Sequence, residues 1–256
     1  MTKHSHIQIP NTILRHFQDP MDPSKKVWFL DIATKSIFKK PSGRLGTATG
    51  YYSVFGENYW CTTVENPLGN LNKQVLAFCN GELETINITR NDMEVVKRYI
   101  RSAMVRSKLA FRSMKEAAKH AFVFTEQQMH DALSVIGMSI VDKAIPSLDL
   151  ENMAATILVN KTTTNFVVPR NCFYGVIRDG CVNYVMPISP IGALLLLPHK
   201  QLSKTDGKYA LIDDPEQINT LNKYALKFEC VFNQEFVASS SRTELEFLQK
   251  ILSGHI

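Results

Sequence analysis

No apolar run in this chain of 256 residues approaches the ~20 residues that a helix needs to cross a bilayer. The longest, Ile191 to Leu197, stops at Pro198. The opening stretch MTKHSHIQIP lacks the apolar segment of a secretory signal, so the expectation is a cytoplasmic protein with no membrane partner. Cysteine is sparse too: Cys61, Cys79, Cys172, Cys181 and Cys230 are odd in number and widely spaced, and no two stand at CxxC spacing. That argues against a disulfide framework, a zinc knuckle and a thioredoxin-like centre. Also missing are the GxSxG elbow, the GxxxxGK[ST] phosphate loop, a GxGxxG turn after a strand and the HExxH helix. Glu126 and His130 stand one helical turn apart, but no second pair is spaced to complete a metal-ligand set. The sequence therefore assigns neither a reaction nor a cofactor.

What the chain has is a strand-rich centre. Asn165 to Pro198 breaks into four apolar runs, Phe166–Val168, Phe173–Ile177, Val182–Met186 and Ala193–Leu197, with Arg178-Asp179-Gly180 as a tight turn. Pro187 and Pro190 bracket a corner. ALLLL offers no polar alternate, which predicts a central strand covered on both faces. Ahead of this centre, KVWFLDI and SIFK predict a hairpin, Asn58 to Phe78 two short helices broken at Pro67-Leu68-Gly69, and Asn91 to Ile145 a nearly continuous helical region. Leu148 to Val159 reads as a further helix. After the centre, Asp214 caps a helix over Pro215–Phe228, a strand follows over Val231–Val237, and Thr243–Leu252 is the last helix. Hairpin, central helices, antiparallel sheet and C-terminal helices make an α+β chain, not an alternating doubly wound one. One domain over residues 1–256 is the expectation, with residues 162–165 the place for any internal boundary.

Charge is concentrated. Between Asn91 and His120 there are eight basic side chains against three acidic ones, so this segment carries the whole net charge of +5. Projected at the helical period, Lys97, Arg98, Arg101, Lys108, Arg112, Lys115 and Lys119 fall within an arc of about 100°. Such a stripe is either a phosphate-binding surface for nucleic acid or a solvated helix face. Arg106 projects instead among Val95, Tyr99 and Ala117, on the side that should face the core. A guanidinium there must be paired or hold an anion.

The remaining reactive candidates are dispersed. His6 and His16 flank the first helix and have no nucleophile partner in sequence. Ser189 sits at a strand end between Pro187 and Pro190, where turn chemistry accounts for it equally well. A catalytic reading would bring Arg106, Asn171 and Ser189 together with His6 or His16. Arg106 would then hold an anion, a histidine move a proton and Asn171 orient the substrate.

Several stretches resemble, in order, a bacterial family of uncharacterised proteins, the domain-of-unknown-function family 4238. They are IPNTILRHF, KVWFLDIATKSIFKK, GYYS at 50–53, MVRSK, FVVPRN and MPISPIGALLLL. The matching positions are Pro10, Leu14, Phe17, Arg106, Asn171, Pro187, Ser189 and Pro190. Members of that family open with a histidine three residues before the proline, where this chain has Ile7. They carry an Asp-Asn-Pro-like turn where it has Arg170-Asn171-Cys172. The resemblance implies a bacterial source and a single α+β domain without supplying a reaction. It favours a protein that binds or acts on nucleic acid, a nuclease being one such activity, in the role of a phage-defence or toxin-type effector. The alternatives are a non-catalytic subunit that binds a protein partner and a metal-dependent hydrolase.

Overall fold

The computed structural model describes residues 4–6, 9–49, 51–107, 116, 125–135, 150–202, 209–231 and 235–255. Its largest sheet has five strands: β5 (Met153–Asn160), β7 (Tyr174–Arg178), β8 (Cys181–Ser189), β9 (Gly192–Pro198) and β10 (Tyr209–Ile212). Their order is β10-β5-β9-β8-β7. β9, the ALLLL strand, lies centrally between β5 and β8, and most of its residues are buried. β7 and β8 form a hairpin whose turn residues Asp179 and Gly180 both have positive φ, 51° and 70°, as a two-residue turn matched to strand twist requires. Pro187 is accommodated within β8 because the register with β9 shifts between Pro187 and Ser189. β10 pairs with β5 in parallel, so the sheet is mixed and not wholly antiparallel.

A second sheet has the order β3-β2-β11-β6, built from β2 (Lys26–Asp31), β3 (Ser36–Pro41), β6 (Val168–Pro169) and β11 (Phe236–Ser239). β2 and β3 are the expected hairpin. The two sheets meet where the chain runs from β5 into β6: Phe166 N–H donates to Pro190 O at 3.0 Å, and Arg170 N–H to Phe236 O at 3.2 Å. The short strands β1 (His4–His6) and β4 (Thr47–Thr49) pair with each other.

Among the described residues the helices, in chain order, are α1 (Asn11–Leu14), α2 (Val54–Trp60), α3 (Asn66–Cys79), α4 (Arg90–Val105), α5 (Glu126–Val135), α6 (His199–Leu202), α7 (Pro215–Val231) and α8 (Arg242–Leu252). α1 passes directly into a 3-10 turn, Arg15–Phe17. Three sequence expectations are corrected here. No break occurs at Pro67-Leu68-Gly69: the helical path runs from α2 through a π-helical turn at Cys61–Glu65 into α3, and Thr63 O, four residues before Pro67, accepts from Arg98. The predicted helix Leu148–Val159 is instead β5, whose β-branched Thr156, Ile157 and Val159 pack well on a pleated sheet. The predicted strand Val231–Val237 begins only at Phe236, because α7 continues to Val231. Thr125 and Gln128 make a reciprocal cap on α5, with N–H···O distances of 2.9 and 3.2 Å. Among the described residues, no helix is long and apolar enough to cross a membrane.

α3 covers one face of the large sheet. Phe78 stacks edge-on against Tyr209 at 5.2 Å, and a side chain at Gly192 would collide with Cys79 Sγ. α7 lies over the other face. It is tied to the β5–β6 connection by Asn222, whose amide accepts from Val167 N–H at 3.0 Å and donates to Asn165 O at 2.9 Å.

Candidate ligand-binding site

Between α7 and the large sheet lies a cavity of about 590 Å³. Strand periodicity builds its floor, since alternate residues share a face. Thr156 and Leu158 come from β5, Leu195 and Leu197 from β9, Asn183 and Val185 from β8, and Val176 from β7. The register sets them in rows: Thr156 opposite Leu195, Leu195 opposite Val185, and Val176 opposite Asn183. α7 supplies the roof from one helical stripe, Gln217, Thr220, Leu221 and Tyr224. The charged lining residues among those described, Arg178, Asp179, Asp214 and Glu216, are all solvent-exposed and form the rim.

Two side chains set this floor apart. Thr156 is 1% exposed and Asn183 4% exposed, and neither Thr156 Oγ1 nor Asn183 Oδ1 has a hydrogen-bond partner. Tyr174 lies opposite Val185 in the same row as Thr156; it too is buried, with its hydroxyl unpartnered. Buried polar atoms in folded proteins are overwhelmingly paired, so the unpaired ones on Thr156 and Asn183, both residues of the cavity lining, mark where a ligand or water completes the bonding once the side chains turn towards it. The size, the apolar walls and the few placed polar groups are those of a small-molecule site.

A second cavity, also about 590 Å³, is lined by Asn87, Arg90, Glu94, Lys97, Glu151 and His199 together with apolar residues such as Met93 and Met153. Here the charges answer one another. Lys97 Nζ lies 3.1 Å from Glu94 and 3.5 Å from Glu151, and Arg101 also pairs with Glu151. The two cations, Arg101 before Lys97, hold the Glu151 carboxyl below its ordinary value.

Each residue singled out from sequence has its own immediate partners. Arg106 follows α4 as its C-terminal cap residue and is buried, as its projection required. Its guanidinium stacks on Trp60, 3.1 Å from the ring centroid, and donates to Tyr52 Oη at 3.1 Å. Asn171 is close to this cluster. Its carbonyl accepts from Tyr99 Oη at 3.4 Å, its N–H donates to Glu229 Oε1 at 3.3 Å, and Tyr99 feels the Arg106 charge. Burial raises the Tyr99 hydroxyl and the Cys172 thiol far above their usual ranges. It also pushes the Glu229 carboxyl up to about 8.

Ser189, at the end of β8, is buried beside Gly192 with its hydroxyl unpartnered. His16 stands in the turn after α1, and burial first, then Arg15, lowers its pKa. His6 belongs to β1, and its side chain lies outside the described residues. Of the basic stripe, Lys97, Arg98 and Arg101 are described, while Lys108, Arg112, Lys115 and Lys119 lie outside the described residues. Lys97 is buried, not solvated; Arg98 is exposed and donates to Thr63 O at 3.3 Å.

Sequence reasoning missed Thr156 and Asn183. A polar residue on an inward-facing strand position is the signal that finds Asn183 in VNYVM. Thr156 was hidden once its segment was read as helical. Among the described residues, no group of three or more His, Cys, Asp and Glu could hold a metal ion. Comparison with protein-family models, curated proteins and solved structures finds no match to the chain.

Proposed function

We propose that this protein binds a small, largely apolar molecule in the cavity between the large sheet and α7. The observation that carries this reading is the pair Thr156 and Asn183, buried on an apolar floor with polar atoms that no protein group satisfies. The test is a fluorescence titration with the neutral dye N-phenyl-1-naphthylamine, comparing the native chain with Leu195→Trp. Leu195 sits in the middle of the floor, between Thr156 and Val185, so an indole there fills the space. Saturable dye binding in the native protein and its loss in a folded Leu195→Trp variant are expected; equal binding by both sends the dye elsewhere and overturns the reading.

The phosphate-surface reading of the basic stripe is a second proposal, favoured by the exposure of Arg98. It receives less support from Lys97 and Arg101, whose charges are already engaged by Glu94 and Glu151. A bacterial defence effector, an interaction subunit, a metal-dependent hydrolase and membership of family 4238 are proposals resting on the sequence alone.

A further inference from the structure

We infer that the cavity's ligand carries an uncharged head group with an N–H or O–H donor, a primary amide or an alcohol, and that ionised head groups are rejected. The inference rests on the ligand-binding reading above and names the chemical class that the floor selects.

Asn183 Oδ1 is an acceptor only, so its missing partner is a donor. Thr156 Oγ1 both donates and accepts. The register places Leu195 opposite Thr156 and Leu197 next but one along β9, opposite the level of Asn183, so apolar leucines stand among the two polar groups. A primary amide complements this floor: its N–H reaches an acceptor, its carbonyl takes the threonine hydroxyl, and its alkyl or aryl body lies on Val176, Val185, Leu195 and Leu197. An alcohol supplies the same donor with one fewer contact.

Charge is excluded by what surrounds that floor. Arg178, Asp179, Asp214 and Glu216 are the charged members of the described lining, and all four stand in water at the rim. A carboxylate or ammonium carried down to Thr156 and Asn183 would lose its hydration without gaining a counter-charge. An anion would also meet the lone pairs of Asn183 Oδ1 unless the amide turned over.

The experiment displaces N-phenyl-1-naphthylamine with four ligands of equal chain length at neutral pH: octanamide, octan-1-ol, octanoate and octylammonium. Octanamide is expected to displace the dye at a concentration at least about tenfold lower than octanoate or octylammonium, one such bond being worth about a factor of ten. Asn183→Leu should weaken octanamide about tenfold relative to the dye, with the dye's own affinity for each variant measured first. Thr156→Val, equal in shape, reads the second contact independently and serves if the first variant does not fold. Displacement by octanoate or octylammonium as strong as by octanamide overturns the head-group inference and leaves the cavity reading standing. Failure of the dye to enter, or its equal entry into Leu195→Trp, overturns the cavity reading and the inference with it. Loss of octanamide preference in neither variant overturns the assignment to Asn183 and Thr156.

Discussion

Two cavities of about 590 Å³ open on this molecule and treat their polar groups in opposite ways. Beneath α7 the polar atoms of Thr156 and Asn183 are buried and unanswered, and the charged residues described there stay at the rim. Beside α4 the buried Lys97 faces Glu94 and Glu151, and Arg101 shares Glu151. The first arrangement costs folding energy that a bound molecule can return; in the second the buried ammonium is already paired. Volume alone does not separate a binding site from a hydrated cleft. The bonding account of each wall does.

The comparison extends to a third buried group, and there the largest effect is expected. Glu229 has one carboxylate oxygen accepting from Asn171 N–H and the other unpartnered, with burial raising its pKa from 4.5 to about 8. Below pH 4.5 folded and unfolded chains both hold the proton. As pH rises from 4.5 towards 8 only the unfolded chain releases it, so this group's contribution to stability falls across that window and levels off above it. Glu229→Gln should abolish the decline and stabilise the protein at pH 8 by up to the order of 4 kcal/mol, read from urea denaturation at several pH values. A native protein whose stability is flat between pH 5 and 8 would contradict it.

A smaller effect of the opposite sign is expected in the paired cavity. Lys97→Met removes a buried ammonium from two acids that are themselves 44% and 65% exposed, so the loss is moderated by solvent, about 1 kcal/mol of destabilisation. Denaturant midpoints of the native chain and the variant measure it. The smallest effect belongs to Glu151→Gln, about 0.5 kcal/mol or less because the carboxylate is exposed. Its pKa is depressed, so its stabilisation is present above the unfolded value of 4.5 and fades as pH falls through the folded one. The difference between native chain and variant should therefore vanish in acid, as midpoints measured from pH 6 down to pH 3 will show.

Sequence pattern alone reached the architecture wherever one signal dominated. ALLLL announced a doubly covered central strand, Asp179-Gly180 a tight hairpin turn, and the helical projection of Arg106 beside Tyr99 an inward guanidinium, all as found. It failed where tertiary context overrode a local period. Met153–Asn160 carries helix-tolerant alanines as well as β-branched residues, and only pairing with β9 and β10 decides for a strand. The parallel β10–β5 pair left no local trace, since it joins residues some fifty positions apart.

The candidate site was less legible for the same reason. Thr156, Asn183 and Tyr224 come from β5, β8 and α7, and no spacing in the sequence relates them. Lys97 looked like one member of a solvated stripe because Glu151, its distant partner, lies beyond any helical period. Of the residues grouped as one catalytic constellation, Ser189 stands beside Gly192 and Arg106 stacks on Trp60.

The most direct test of the account compares the unfolding free energies of the ligand-free protein and two variants, Asn183→Leu and Lys97→Met, by urea denaturation. Removing an unanswered polar group should stabilise by about 1 kcal/mol, while removing an answered one should destabilise by a similar amount, so the two changes carry opposite signs. Destabilisation by both, with the Asn183 variant losing as much as the Lys97 variant, would show that Asn183 is already satisfied in the free protein and would contradict the assignment of the cavity as a ligand site.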